Sequence, residues 1–388
     1  MSVVSASARR RWVVVALGVA ALALVPVGAE AVVQRVATGG VPTSGPPDDV
    51  MRRALASASV PHVGLARSHG TLGLPNLPRL EDVAAGLGSD STARVWWAGP
   101  DAWRVDVLGR SGESDSYRTS TGLVRWDYED YRLTDVLGAD PALRPPRSDD
   151  LLPPQVARRL LAGVGAGDRV TGLPGPRRVA GVAADGVRVV PGDARGSIGH
   201  LDVWVERAHG LPVAVTVADR RGATAFDARY LELDVARPDD DLLAPPPAPD
   251  ARRDTQTVPD LLSRLDAGRG RRGLPRVLAG LPAAAALVPG VPTFGSGLVR
   301  LSVVRISPGV AQQSLDAVRQ GGGTPTAVPG GAVLLAARGV VALGVVRSAD
   351  GRRAYLVAGT VVPDVVLAAA RRLLAPASPT PTPSGPAS

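Results

Sequence analysis

The sequence predicts an α+β protein: a strongly curved antiparallel sheet, or incomplete barrel, with helices over its concave face, followed by a smaller α+β domain. Three observations predict it. Residues 92–235 hold short runs rich in Val, Trp, Tyr and Thr, the runs are separated by X-Gly pairs, and only two amphipathic helical segments accompany them. Two short helices can cap one face of such a sheet but cannot enclose it.

At the N-terminus Arg9, Arg10 and Arg11 precede an uncharged apolar stretch over residues 12–29. As a helix it is about 27 Å long, close to the hydrocarbon thickness of a bilayer. Positive residues before it hold the N-terminus inside. Ala29, Glu30 and Ala31 form a small-x-small cleavage site, so residues 1–36 read as a signal peptide or a membrane anchor, and the chain beyond is expected to be extracytoplasmic. Residues 37–47 are a Gly/Pro/Ser linker. Asp48 and Asp49 then open a helix with Val50, Met51, Ala54, Leu55 and Ala58 on one side, stopped before Pro61. A second helix is expected over residues 154–162, closed by Gly163.

The X-Gly pairs fix the sheet topology. Thr121-Gly122, Asp185-Gly186, His209-Gly210 and Arg221-Gly222 sit between strand-like runs, which predicts tight hairpins and antiparallel neighbours. Alternation within the runs assigns faces. Val95 and Trp97; Trp103, Val105 and Val107; Val124, Trp126 and Tyr128; Leu201, Val203 and Val205; and Val213, Val215 and Val217 fall on one apolar side. The adjacent Trp96, with Arg94, Arg104, Asp106, Arg125, Asp127, Asp202 and Glu206, is expected on the opposite, wet side. Apart from Trp12, Phe294 and Tyr355, the aromatics all lie in this stretch. For each one alone, core packing is the simpler explanation. A face so wide with so little helix to cover it predicts a cavity. The expected ligand-lining residues are Val95, Trp97, Trp103, Val105, Val107, Val124, Trp126, Tyr128, Val203, Val205 and Val215.

A first domain over 48–235 is thus expected to end in a linker over 236–257, where Pro238, Pro245, Pro246, Pro247 and Pro249 alternate with Asp239, Asp240, Asp241 and Asp250. A second domain follows over 258–375: a short helix over 258–265, a strand over 298–306, a helix from Ser307 and Pro308 to the glycines at 321–323, a hairpin of residues 333–346 with 353–358, and a last helix from Pro363 to Leu374. The Pro/Ser/Thr-rich residues 376–388 read as a disordered tail.

Composition narrows the function. All 44 basic residues are Arg, which makes the net charge of +8 a coding bias rather than a nucleic-acid signal; no basic stripe interleaved with aromatics accompanies it. The absence of Cys excludes disulfides, thiolate chemistry and a lipidated N-terminal Cys. The absence of Lys excludes a phosphate-loop lysine and a Schiff base.

Nor does a catalytic constellation emerge. His62, His69, His200 and His209 stand in no metal-binding spacing. Gly268, Gly270 and Gly273 spell Gly-x-Gly-x-x-Gly without a preceding strand, so they read as an interdomain turn. Asp127, Glu129 and Asp130 read as surface charge, and Asp239, Asp240 and Asp241 lack the spacing of a calcium loop. No catalytic residue, metal site or cofactor is expected.

Residues 94–106, then Trp126-Asp127-Tyr128-Glu129 and Asp150-Leu151-Leu152-Pro153-Pro154, resemble bacterial envelope proteins with the fold shared by the lipoprotein carrier LolA and the sigma-E regulator RseB, also called MucB. Residues 297–304 and 361–366 resemble the C-terminal domain of RseB/MucB. The resemblance implies an incomplete barrel whose apolar concave face takes acyl chains, with a second domain that docks on a membrane-bound anti-sigma factor. The expectation is a non-enzymatic, extracytoplasmic lipid- or lipoprotein-binding regulator of the envelope-stress type. Its rival is a lipid or lipoprotein carrier, or an accessory protein of an envelope transporter.

Overall fold

The computed structural model describes residues 46–70, 90–109, 112–144, 147–175, 177–260, 263, 271, 273–320 and 324–375. The leader segment, residues 37–45 of the linker after it, half of the helix expected over 258–265, most of the Gly268 to Gly273 turn and the 376–388 tail lie outside the described residues.

Helix α1 (Pro47–Ala56) starts on Pro47 with Asp48 and Asp49 in its first turn, a favourable charge at the positive end of the helix dipole. It buries Val50 and Ala54 and runs on into a single 3₁₀ turn, Ser57–Ser59. Strand β1 (His62–Gly70) follows, then β2 (Ser91–Gly99), β3 (Ala102–Leu108), β4 (Glu113–Thr119), β5 (Gly122–Asp127) and β6 (Arg132–Leu137). A 3₁₀ turn, Ser148–Leu151, leads into helix α2 (Pro153–Leu161). The sheet resumes with β7 (Arg169–Gly172), β8 (Arg177–Val179), β9 (Val182–Val190), β10 (Ile198–Glu206), β11 (Pro212–Asp219) and β12 (Thr224–Asp234), and ends with β13 (Arg252–Thr257).

These strands form a 13-stranded sheet in the order β13-β6-β5-β4-β3-β2-β1-β12-β11-β10-β9-β7, with β8 on β9. It is a curled half-barrel, and the chain is α+β with a predominance of strand. β1, which neither turn chemistry nor alternation announces, joins the two halves by pairing with both β2 and β12.

The turns repay a closer look. His209-Gly210 and Arg221-Gly222 are hairpin turns as expected, with Gly210 at φ 76° and Gly222 at φ 83°. The β4–β5 loop is Ser120-Thr121, one residue earlier than expected, because Gly122 already pairs with Thr119. Asp185-Gly186 is no turn at all. It lies inside β9, and the hairpin is made by Ala180 and Gly181, at φ 48° and 82°. Gly186 serves close packing instead: a Cβ there would sit 2.8 Å from the Leu173 side chain and 2.9 Å from the Trp204 ring.

The expected 236–257 linker is also corrected. A 3₁₀ turn, Asp240–Leu243, lies over β3 and β4, Leu243 and Ala248 are buried, and β13 adds to β6 in parallel. Proline-rich composition disfavours a central strand, but an edge strand needs only one row of backbone bonds, and Arg252–Thr257 is free of proline.

The second sheet is 8-stranded: β14 (Val277–Leu278), β15 (Leu281–Ala284), β16 (Thr293–Ser296), β17 (Val299–Arg305), β18 (Thr326–Val328), β19 (Gly331–Arg338), β20 (Val341–Ser348) and β21 (Ala354–Gly359). Helix α3 (Pro308–Gln320) precedes β18 and α4 (Pro363–Leu374) follows β21. The run expected as one strand over 333–346 is broken at Gly339, φ 54°, into β19 and β20. α4 buries Val365, Val366, Ala369, Ala370, Leu373 and Leu374 against this sheet.

The two sheets touch directly. Gly196 bridges Val361, the Val362 N–H donates to the Arg195 carbonyl at 2.9 Å, and Ser197 Oγ donates to the Val340 carbonyl.

Candidate functional site

Strand pairing defines the two faces of the first sheet, since directly opposed residues share a face. On the inner face, under the helices, Val95 opposes Val105, Trp97 opposes Trp103, and Val203 opposes both Val187 and Val215. Val95, Val105, Val203, Val205 and Val215 are wholly buried, and Trp97 and Trp103 nearly so. Val107 is partly buried in the same cluster. Eight of the expected lining residues therefore share the inner floor: these seven and Val107. They divide between an aromatic end around Trp97 and Trp103 and an aliphatic end where Val187, Val189, Val203, Val205, Val215 and Val217 meet the helices.

The aromatic end is built around His62, which sequence reasoning passed over. Trp97 and Trp103 stack with centroids 6.0 Å apart, His62 stacks on Trp97 at 6.1 Å, and Tyr230 meets His62 edge-on at 5.5 Å. The Val60 carbonyl, 2.9 Å from Nδ1, can only accept, so Nδ1 carries the proton and Nε2 accepts from the Tyr230 hydroxyl at 2.7 Å. Burial lowers the His62 pKa to about 4, aided by the nearby Arg158 charge and opposed by the Val60 bond. Burial likewise raises Tyr230. A neutral, doubly bonded imidazole in an apolar floor is a structural pin rather than an acid or base.

The cover over this floor includes α1, α2 and the 3₁₀ turns Ser57–Ser59 and Ser148–Leu151, and Leu298, Val340 and Val341 join the aliphatic cluster. Val50, Ala54, Val156, Ala157 and Leu161 press into the aliphatic end, and the Trp97 indole N–H donates to the Ala58 carbonyl at 3.0 Å. Asp150 fastens the cover. Its carboxylate accepts from Arg144 at 2.6 Å, from Arg159 at 2.7 Å and from the Arg147 backbone N–H at 2.7 Å. Burial alone would raise its pKa, yet the Arg144 and Arg159 guanidiniums hold it at about 2. Among the described residues, a space of about 10 Å³, room for one water, lies beside Ala66, Ser68, Ser91, Ala93, Ser148, Leu151 and Leu152. Helix side chains pack directly on the aliphatic end of the floor.

Val124, Trp126 and Tyr128 are not on the inner floor. Val124 opposes Tyr117, and Trp126 opposes Asp115 and Leu133, which places them on the outer face; Leu123 takes the inner position on β5. Trp126 is buried there with Tyr117, Leu133 and Ala248, beneath the 240–251 segment. Tyr128 is 48% exposed and leans edge-on against Trp126 at 5.5 Å. The period-two rule held, but burial of an aromatic does not say which face is buried when both faces are covered. Trp96 does lie opposite Trp97, on the outer face, with the Arg104 guanidinium 4.7 Å from its ring.

The outer face is also not simply wet. Asp106 and Asp115 are buried there with Arg104 and Tyr117, and Glu206 is buried at the β10–β11 turn, where it accepts from the Ala208 and His209 N–H groups. The sequence signal for the acidic pair was available: Arg104 and Asp106 stand two apart on one strand and Asp115 and Tyr117 two apart on the next, the spacing of four side chains on one face.

No protein-family model and no curated protein matches this chain. Among solved structures, it is similar to a chain of the Pseudomonas aeruginosa MucA/MucB complex, at 18% identity and a TM-score of 0.46, over 84% of this chain and 97% of that one. It is similar to MucB in complex with MucA(peri), at 18% identity and a TM-score of 0.45, with the same coverage. It is also similar to a LolA superfamily protein from Nitrosomonas europaea, at 8% identity and a TM-score of 0.22, over 52% of this chain and 99% of that one.

Proposed function

We propose that this protein is a non-enzymatic, extracytoplasmic regulator that takes an acyl chain, free or on a lipoprotein, between the inner floor of the first sheet and its helical cover. In this reading the second sheet with α4 engages the extracytoplasmic segment of a membrane-bound protein of the anti-sigma class. The observation that carries the reading is the floor itself: apolar side chains line the inner face from Trp103 to Val187, and two short helices pack over its aliphatic end.

Burying an acyl chain of about sixteen carbons on such a floor is worth on the order of 12 kcal/mol at ~0.8 kcal/mol per methylene. The extracytoplasmic assignment is supported by residues 9–11 and the apolar run behind them; among the described residues no helix is long and apolar enough to cross a membrane.

The test uses brominated fatty acids, which quench indole fluorescence on contact. Saturable quenching is expected in the full chain and should be lost when Trp97 and Trp103 are both replaced by Phe. Absence of saturable quenching, or quenching that persists in the double variant, rejects the floor as the ligand site.

A further inference from the structure

The outer face of the first sheet holds a cluster that the acyl-binding reading does not use. β3 and β4 set Asp106 and Asp115 directly opposite one another, and Glu113, two residues before Asp115, projects to the same side. Asp106 is 1% exposed and Asp115 0%, while Glu113 is half-buried and faces the way in. Oxygens of the three carboxylates lie within 4.8 Å of one another.

The partners present do not balance this cluster. Arg104 donates to both oxygens of Asp106, at 2.7 and 2.6 Å, and to Asp115 Oδ2 at 3.0 Å; the Tyr117 hydroxyl also donates to Oδ2, at 2.9 Å. Asp115 Oδ1 is buried with no hydrogen-bond partner. A buried, unpaired carboxylate oxygen costs free energy that a fold tolerates where something else supplies the missing contact. Arg104 is thereby shared between the two aspartates.

We propose that Asp106, Glu113 and Asp115 form a binding site for a hard divalent cation of the calcium type. The donor set is all oxygen, without the imidazole or thiolate that zinc or copper prefers. Asp115 Oδ1 supplies the innermost ligand, Glu113 closes the site from the solvent side, and Arg104 keeps its bonds to Asp106 and Asp115 Oδ2. The cation then joins β3 to β4 beneath the Asp240–Leu243 turn that packs on both.

The test is calcium titration of the chelator-treated full chain by calorimetry, with terbium luminescence as a second readout. Trp96 and Tyr117 both lie against Arg104, at 4.7 and 5.0 Å, close enough to sensitise a lanthanide at the site. One saturable site, terbium emission displaced by calcium, and a loss of affinity of about tenfold or more in Glu113→Gln are expected, since affinity in oxygen-ligand sites follows ligand charge. Asp115→Asn should abolish binding. Because Asp115 is buried and its variant risks the fold, the half-buried Glu113 carries the decision, read on protein whose circular dichroism matches the wild type. Absence of saturable calcium, magnesium or manganese binding overturns the proposal, as does an unchanged affinity in folded Glu113→Gln.

Discussion

Acidification should weaken the fold through His62, by an amount that can be worked from its surroundings. The folded protein holds this imidazole neutral, with a pKa of about 4 against 6.5 for the free group, because burial excludes the charge. Its contribution to stability is therefore complete above pH 6.5 and is lost as pH falls, since the unfolded chain takes up a proton that the folded chain refuses. Between about pH 7.5 and pH 5 the loss is roughly 2 kcal/mol, approaching about 3 kcal/mol below pH 4. Asp106 and Asp149, raised to about 7 and about 6 chiefly by burial, contribute in the opposite direction, so the wild-type profile alone is a mixture. The assay is urea unfolding across this range for the wild type and for His62→Gln, whose amide can still bond Val60 and Tyr230. The stability gap between them should shrink by about 2 kcal/mol from pH 7.5 to 5. A gap that stays constant would falsify the buried neutral histidine.

Three further outcomes are expected. Asp150→Ala removes a carboxylate that Arg144 and Arg159 share and should cost about 3–5 kcal/mol in denaturant unfolding, as breaking a buried ion pair does; a cost below 1 kcal/mol would show that the cover is not fastened there. Gly186→Ala drives a Cβ into Leu173 and Trp204 and should cost about 1–3 kcal/mol by thermal melt; an unchanged melting temperature would show that this packing is not tight. Trp126→Ala should destabilise by about 3–5 kcal/mol while leaving bromo-acyl quenching of Trp97 and Trp103 intact, because Trp126 packs under Ala248 on the other face; lost quenching in the folded variant would return it to the ligand side.

Much of the inner floor was legible from residue order. Val95, Trp97, Trp103 and Val105 alternate with polar neighbours on strands joined by a short turn, and such a pattern leaves one register that buries all four. The same logic placed Trp96 correctly, and Asp48 with Asp49 marked the start of α1 to within a residue, as Pro363 did that of α4. Val124 and Trp126 show where it stops. Alternation says that they share a face and differ from Leu123, but assigning that face requires knowing what lies on each side, and the cover over Trp126 comes from residues 240–251, more than a hundred positions later.

What the sequence by itself determined was local: which residues alternate, where helices begin, and that Gly210 and Gly222 take backbone conformations other residues resist. Such features depend on neighbours within a few residues and on sterics that hold in any fold. Only the tertiary structure decided that Gly186 packs rather than turns, that a proline-rich stretch wraps the outer face, that helix side chains pack on the aliphatic end of the floor, and that three carboxylates meet on β3 and β4. Each of these is a contact between distant segments, and its sign depends on which surface arrives to cover it.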